Sequence, residues 1–381
     1  MSKTFLFVSA QYLPTSGGVE RFTYALASKL IRDGHRVIIL TSSLRDLPDH
    51  ETDELGIEIF RVSSIPFMNG RLPLIRPCAE FIRLAGQVWD RPIDYCIINT
   101  YFYPLSMYAA RCSRRHGIPT IIINHGSAWL MTGNPLLCAA GQLYEYTAAR
   151  LCKHYCPRFF GVSEAASDWM ATFGITAEGV ITNAIDPDEV ADTADPELSW
   201  RRELNLEEST KIIAFVGRMI PEKGVVPMVK AMTAIREVHP DAALLMAGEG
   251  PLLEEIRRDL PDGVYPLGAQ PYPKVLALLR QADIFCLPTR SEGFACTVLE
   301  AAALGCPILT TATGGSPHLL ITPAHGTLLR DMSQDSISEA CIRALSDENW
   351  RSQAAVLAHG RLTENYTWDA SLQQLYRAFG L

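Results

Sequence analysis

The chain has 381 residues, of which 48% are apolar and 20% charged, and a formal net charge of −8. At about 100–200 residues per domain the length implies two or three domains with cores of their own. So large an apolar fraction excludes a disordered chain, and the acidic balance gives no reason to expect a nucleic-acid partner.

No apolar run approaches the roughly 18–20 residues that a bilayer crossing needs. The start, Met1–Ala10, carries one cation and a short apolar run that Gln11, Tyr12 and Pro14 interrupt; it reads as a first buried strand, not a secretory signal, and a cytoplasmic protein is expected. Ten scattered cysteines read as reduced core thiols. Cys152-x3-Cys156 with His154 between is the only local cluster, and with no second ligand pair at zinc spacing no metal is expected.

Along the chain, short apolar runs rich in branched residues alternate with stretches of helical period. Strands are predicted at Phe5–Ser9, Arg36–Leu40, Ile57–Val62, Tyr95–Asn99, Thr120–Asn124 and Phe159–Val162. A second series follows at Lys211–Val216, Ala243–Ala247, Val264–Leu267, Ile284–Leu287 and Pro307–Thr310. Helices are legible at Glu20–Asp33, which stops at Gly34, and at Pro227–Glu237, which ends before His239-Pro240. Two sets of strand–helix alternation predict an α/β protein with two doubly wound, Rossmann-like parallel sheets. The join falls near Asn183–Asp195, where Pro187 and a run of acids break the periodicity. A last amphipathic helix, about Thr367–Phe379, carries Trp368, Leu372, Leu375, Tyr376 and Phe379 on one stripe.

Ligands of open α/β sheets bind beyond the carboxyl ends of the strands, so the residues after each strand carry the functional reading. Gly17 and Gly18 after the first strand allow a tight turn into a helix start, a ready anion site. Gly217–Gly224 sets Arg218 and Lys223 beside a helix start, one cation a planar fork and the other a compact charge, as a diphosphate requires. Gly248-Glu-Gly250 and Gly268-Ala-Gln270 are further sharp turns, the second exposing backbone where a planar base could be read. The most informative segment is Pro288–Pro307: Glu292 lies in a glycine-containing loop and Glu300 a turn into the next helix, where each carboxylate can hold a vicinal diol. The N–H groups of Gly293, Phe294, Ala295 and Cys296 are expected at the helix start.

These residues resemble the retaining GT-B glycosyltransferases of family 4, the glycosyl transferases group 1, which use nucleotide-activated sugars. The matches are Gly17-Gly18-Val19-Glu20, Asn124-His125-Gly126, Gly161-Val162-Ser163-Glu164, Asn183-Ala184-Ile185-Asp186, Arg218 with Glu222-Lys223-Gly224, Gly248-Glu249-Gly250, and Glu292 with Glu300. They occur in the family's order over nearly the whole chain. The resemblance departs at Ala184 and Ala295, where the family commonly has glycine.

The resemblance implies two Rossmann-like domains facing across a cleft: an acceptor domain at 1–185, a nucleotide-sugar domain at 186–365, and a terminal helix at 366–381 that crosses back to the first. It implies that Gly17 and Gly18 lie against the diphosphate and the acceptor path, and that His125 contacts the donor sugar near the reacting carbon. Arg218 and Lys223 would neutralise the leaving diphosphate, Glu292 hold sugar hydroxyls with Gly293 and Phe294, and Glu300 take the ribose diol. Gly248, Gly268 and Ala295 complete the donor site. The nucleotide is expected to be UDP before GDP, with no cofactor and no metal.

The charge is uneven: residues 1–180 hold 17 Lys+Arg and 15 Asp+Glu, the remainder 17 and 27. The apolar stretch Ile65–Trp89, with Arg71, Arg76 and Arg83 interspersed, and the later Arg111, Arg114 and Arg115 lead us to expect contact with an anionic membrane and a lipid-linked, glycan or other cell-envelope acceptor. A dinucleotide-dependent oxidoreductase lacks its Gly-x-Gly-x-x-Gly run here. An epimerase-like enzyme or a non-catalytic sugar-nucleotide binder would share the architecture without transferring sugar.

Overall fold

The computed structural model describes residues 2–15, 17–43, 47–68, 70, 72–129 and 135–381. Its strands are apolar runs with little polar alternation, as parallel sheets covered on both faces require: every residue of Thr4–Val8 and Thr120–Asn124 is buried. The strands form two sheets, one in each of two compact units, residues 1–183 with 368–381 and residues 184–367.

In the first unit the sheet order is His50–Thr52, Glu58–Phe67, Arg36–Ser43, Thr4–Val8, Tyr95–Asn99, Thr120–Asn124, Phe159–Gly161 and Gly179–Val180. Leu72–Ile75 pairs with Glu58–Phe67 off this path. Among the described residues all its ladders are parallel except those of His50–Thr52 and Leu72–Ile75 onto Glu58–Phe67. The second sheet is parallel throughout, in the order Val264–Gly268, Ala242–Ala247, Lys211–Val216, Ile284–Leu287, Ile308–Thr311 and Thr327–Leu329.

Each sheet grows outward from its first strand and then resumes on that strand's other side. The reversal falls between Thr4–Val8 and Tyr95–Asn99 in the first unit, and between Lys211–Val216 and Ile284–Leu287 in the second. At such a reversal the loops leave in opposite directions and open a crevice at the carboxyl ends. Topology thus brings the segment after Val216 beside the segment after Leu287, although about 70 residues separate them.

Helices seal the sheets with regular apolar stripes. Val225–Val238 buries Val225, Met228, Met232 and Ile235, the i, i+3, i+7 pattern of a core-facing helix. The closing helix Trp368–Phe379 packs Leu372, Leu375 and Ala378 into the core formed by Phe5, Phe22 and Leu26. It is also hydrogen-bonded there: Ser371 Oγ donates to the Thr182 carbonyl at 2.6 Å, and the Gln374 side-chain oxygen accepts from the Thr182 N–H at 2.7 Å. The chain's last helix therefore belongs to the first unit. The divides fall after Asn183 and after Thr367, two residues before and two after the boundaries expected at 185 and 365.

Four short strands were not anticipated. Glu58–Phe67 continues five residues past the expected end, and Leu72–Ile75 folds back on it, so Ile65–Trp89 is the arm of a hairpin followed by the helix Ala79–Trp89. Arg71 lies outside the described residues. His50–Thr52, Gly179–Val180 and Thr327–Leu329 have three residues or fewer, too few for a periodicity to declare itself.

Because Leu375 is fully buried, Leu375→Ala should destabilise the first unit by about 2–5 kcal/mol through lost burial and a residual cavity. Val356→Ala, at a position 71% exposed, should stay within about 0.5 kcal/mol. Hydrogen exchange of the two helices during urea unfolding checks both.

Candidate active site

Close backbone approach sets the loops of the second unit. Gly224 has φ +65°, and a Cβ there would strike the Pro288 carbonyl; a Cβ on Gly248 would strike the Gly217 carbonyl. Only glycine satisfies both demands. The loops are then stitched together: Arg290 N–H donates to the Glu222 carbonyl at 2.8 Å, Met219 N–H to that of Glu249 at 2.7 Å, and Gly248 N–H to that of Gly268 at 2.8 Å. Phe294 and Ala295 are buried, and the Phe294 ring meets Tyr366 edge-on at 5.1 Å.

Within this frame the Lys223 ammonium is ion-paired with the Glu292 carboxylate, both side chains largely shielded from solvent. Burial, seconded by the Arg218 guanidinium, pushes the Lys223 ammonium down to about 8, against the opposing pull of Cys296 and Glu222. Arg218 itself is exposed on the same loop. The helix Cys296–Ala303 begins at Ala295, a cap without a side-chain acceptor, and has no acid in its first turn, so its N-terminal dipole end favours an anion. Glu300, 3% exposed, accepts a hydrogen bond from the Tyr272 hydroxyl at 3.1 Å.

The remaining sequence candidates belong to the first unit. Gly17 caps the helix Gly18–Arg32 in extended conformation, and the Glu20 carboxylate lies where a Gly17 side chain would be. Burial raises the Glu20 carboxyl above its usual range. An anion arriving at this helix start therefore meets a carboxylate already in place. His125, just beyond Thr120–Asn124, pairs through Nε2 with the Asn99 side-chain oxygen at 2.9 Å, and the Phe22 ring stands edge-on to it at 4.8 Å. Burial of the ring lowers the imidazole well below its usual range.

The structure brings Lys223 to Glu292, Gly224 to the loop that carries Glu292, and Gly248 to Gly217 and Gly268. Among the described residues no group of three or more His, Cys, Asp or Glu side chains is placed to hold a metal ion. No helix among them is long and apolar enough to cross a membrane.

Two family models cover this architecture: glycosyltransferase family 4 matches residues 16–189, and glycosyl transferases group 1 matches residues 197–358. The chain belongs to this glycosyltransferase family. A GDP-mannose-dependent monoacylated α-(1-6)-phosphatidylinositol monomannoside mannosyltransferase of Corynebacterium glutamicum is 25% identical over 98% of this chain and 97% of its own. The GPI3 subunit of phosphatidylinositol N-acetylglucosaminyltransferase from Saccharomyces cerevisiae is 25% identical over 94% and 78%. Among solved structures, sucrose-phosphate synthase of Thermosynechococcus elongatus has a TM-score of 0.76 at 17% identity, covering 99% of this chain and 98% of its own. Anabaena HepE in complex with UDP has a TM-score of 0.74 at 17% identity and full coverage of both. The fold is GT-B.

Sequence reasoning missed Tyr272 and Asn99. Tyr272 opens a helix after a Gln-Pro pair, with no motif about it; Asn99 closes an apolar strand. Losing a hydrogen bond to a charged group costs about 1.5–3 kcal/mol. If Glu300 grips a nucleotide, Tyr272→Phe should weaken UDP or GDP binding about tenfold in calorimetry, whereas unchanged affinity would remove Tyr272 from the site.

Proposed function

We propose that the chain moves a hexose-type sugar from a nucleotide-diphosphate donor, UDP-sugar before GDP-sugar, to an acceptor hydroxyl with retention of anomeric configuration. The observation that carries this reading is the Lys223–Glu292 pair at the crossover of one parallel sheet, with Arg218 on the Lys223 loop and Glu300 in the helix that follows Glu292. Cations beside a helix start suit a diphosphate, and the two acids suit the diols of a sugar and a ribose.

In the structure Lys223 and Glu292 neutralise each other. Donor binding exchanges partners: the ammonium takes the diphosphate and the carboxylate takes sugar hydroxyls, helped by Gly293 and Phe294. As the bond from C1 to the diphosphate oxygen breaks, its electron pair goes to that oxygen. Arg218 and Lys223 then stabilise the leaving group more than the ground state. The acceptor oxygen bonds C1 on the same face, and its proton passes to the leaving phosphate. His125 contacts the transferred sugar. Because protein cations meet the developing charge, transfer should proceed without an added divalent ion. Activity lost in EDTA and restored by magnesium would refute that part.

The acceptor we propose is a lipid-linked, glycan or other cell-envelope hydroxyl, reached from the inner face of an anionic membrane. This reading is supported by relatives named for phosphatidylinositol-based acceptors and by exposed apolar and basic side chains on the first unit. Ile65 and Phe67 on the hairpin are each 49% exposed and Ile82 is 69% exposed, with Arg76, Arg83, Arg111 and Arg115 also exposed. On the helix Pro135–Tyr155, Leu136 is 81% and Leu143 69% exposed, followed by exposed Arg150 and Lys153. Such mixed faces suit interfacial binding. Flotation should be seen with vesicles containing anionic lipid and not with neutral ones; equal recovery from both would reject the surface.

A panel of UDP- and GDP-sugars with lipid and glycan acceptors, read by product anomer, tests the reaction: an inverted product or no transfer overturns it. His125→Ala should lower turnover far more than nucleotide affinity, and equal losses would restrict His125 to binding.

The Lys223 charge gives a pH test with a defined sign. A diphosphate favours the ammonium, so affinity is full below pH 8, falls as pH rises through about 8, and binding there takes up a proton. Well above that pH the loss should approach about tenfold per unit. Lys223→Arg, which stays charged, should flatten the profile. A wild-type affinity constant to pH 10 would mean that Glu292 keeps the ammonium charged.

A further inference from the structure

Four groups in the first unit form a hydrogen-bonded file. The Thr23 hydroxyl lies 2.7 Å from the Val19 carbonyl, the Asn99 side-chain nitrogen 2.8 Å from Thr23 Oγ1, and the Asn99 side-chain oxygen 2.9 Å from His125 Nε2. Thr23 and Asn99 are fully buried. The file has one chemically consistent direction. A carbonyl can only accept, so the Thr23 hydroxyl spends its hydrogen on Val19. The Thr23 oxygen must then accept, which turns the Asn99 amide N–H toward it and the Asn99 carbonyl oxygen toward His125. That oxygen accepts in turn, so His125 Nε2 carries the proton.

From this geometry we infer that Asn99 is a positioning residue for His125: together with Thr23 it relays the orientation of the Val19 carbonyl, in the first turn of the helix that follows Gly17 and Gly18, into a single imidazole tautomer. With Nε2 protonated and the ring neutral, Nδ1 can only accept a hydrogen bond. His125 is therefore matched to a group that brings its own hydrogen, a hydroxyl of the transferred sugar, and not to a phosphate oxygen. That consequence rests on the transferase reading; the tautomer itself does not. The backbone next door is constrained: Thr100, a β-branched residue, sits at φ +66°, a region such residues rarely adopt, and its N–H is anchored to the Ile123 carbonyl at 2.8 Å.

The test uses the full chain labelled with 15N-histidine, with His125 assigned by comparison with His125→Gln. Two-bond proton–nitrogen spectra at pH 7 should show one neutral tautomer protonated at Nε2, its ring proton downfield and slow to exchange. Asn99→Leu should abolish that protected proton and lower kcat about tenfold or more, with the donor KM changed less than about threefold. Thr23→Val keeps the shape and does not touch His125, so it guards against a folding defect. It should still mix the tautomers, because nothing then fixes the Asn99 amide. A wild-type Nδ1–H tautomer, an imidazolium, or His125 signals indifferent to Thr23→Val would overturn the relay. Spectra as expected with no transfer from any sugar donor would instead leave the relay standing and bring down the transferase reading.

Discussion

The second unit is organised around an ammonium and a carboxylate that would each be costly to bury alone. Lys223 and Glu292 come from loops 69 positions apart in sequence and offset each other where both side chains are largely shielded from solvent. A desolvated charge keeps its ionised form most readily beside a partner, and each of these two has the other. Gly224 is where the backbone beside Lys223 passes close to Pro288, on the loop that carries Glu292. The Arg290-to-Glu222 hydrogen bond closes the same two loops from the backbone side. On the proposed reading, an incoming diphosphate would take the ammonium and sugar hydroxyls the carboxylate, dividing the pair between them.

The first unit solves a different problem. Among the described residues its crossover loops offer no comparable cluster of cations, and its glycine-led helix start already holds the Glu20 carboxylate, whose burial favours the protonated form. What the unit supplies is an uncharged imidazole held in place by buried amide and hydroxyl groups. Neutral groups can be fixed tightly in an apolar setting at little desolvation cost, provided that each donor finds an acceptor. The contrast between paired charges in one unit and directed neutral hydrogen bonds in the other follows from what each set of loops buries.

Much of this was legible in the chain because parallel strands covered on both faces announce themselves as apolar runs. Tyr95–Asn99, Thr120–Asn124, Lys211–Val216 and Ile284–Leu287 fall where those runs predict. Loops that follow such strands are equally visible, and with them Arg218, Lys223, Glu292 and Glu300 as candidates. The hairpin at 58–75 was not, because Pro66 and Pro73 interrupt any alternation and face each other across an antiparallel ladder that only pairing reveals. Edge positions tolerate proline where a central strand would not, so the residues that hid the hairpin are also compatible with it.

Tyr272 and Asn99 were illegible for another reason. Nothing in their neighbourhood marks them, since their meaning lies in register. Asn99 is the last residue of a strand whose ladder sets it opposite Ile123, two positions before His125, while Thr23 faces it from a helix 76 residues earlier. Motif reading finds residues that touch a ligand, because ligand chemistry restricts their type and their place after a strand. Residues that orient those side chains need only be polar, buried and correctly aligned, and that alignment exists only once the sheet has assembled. A one-residue slip in the ladder would turn Asn99 to the opposite face and leave His125 without its acceptor. The register of an entirely ordinary pair of parallel strands is therefore part of how the imidazole is prepared.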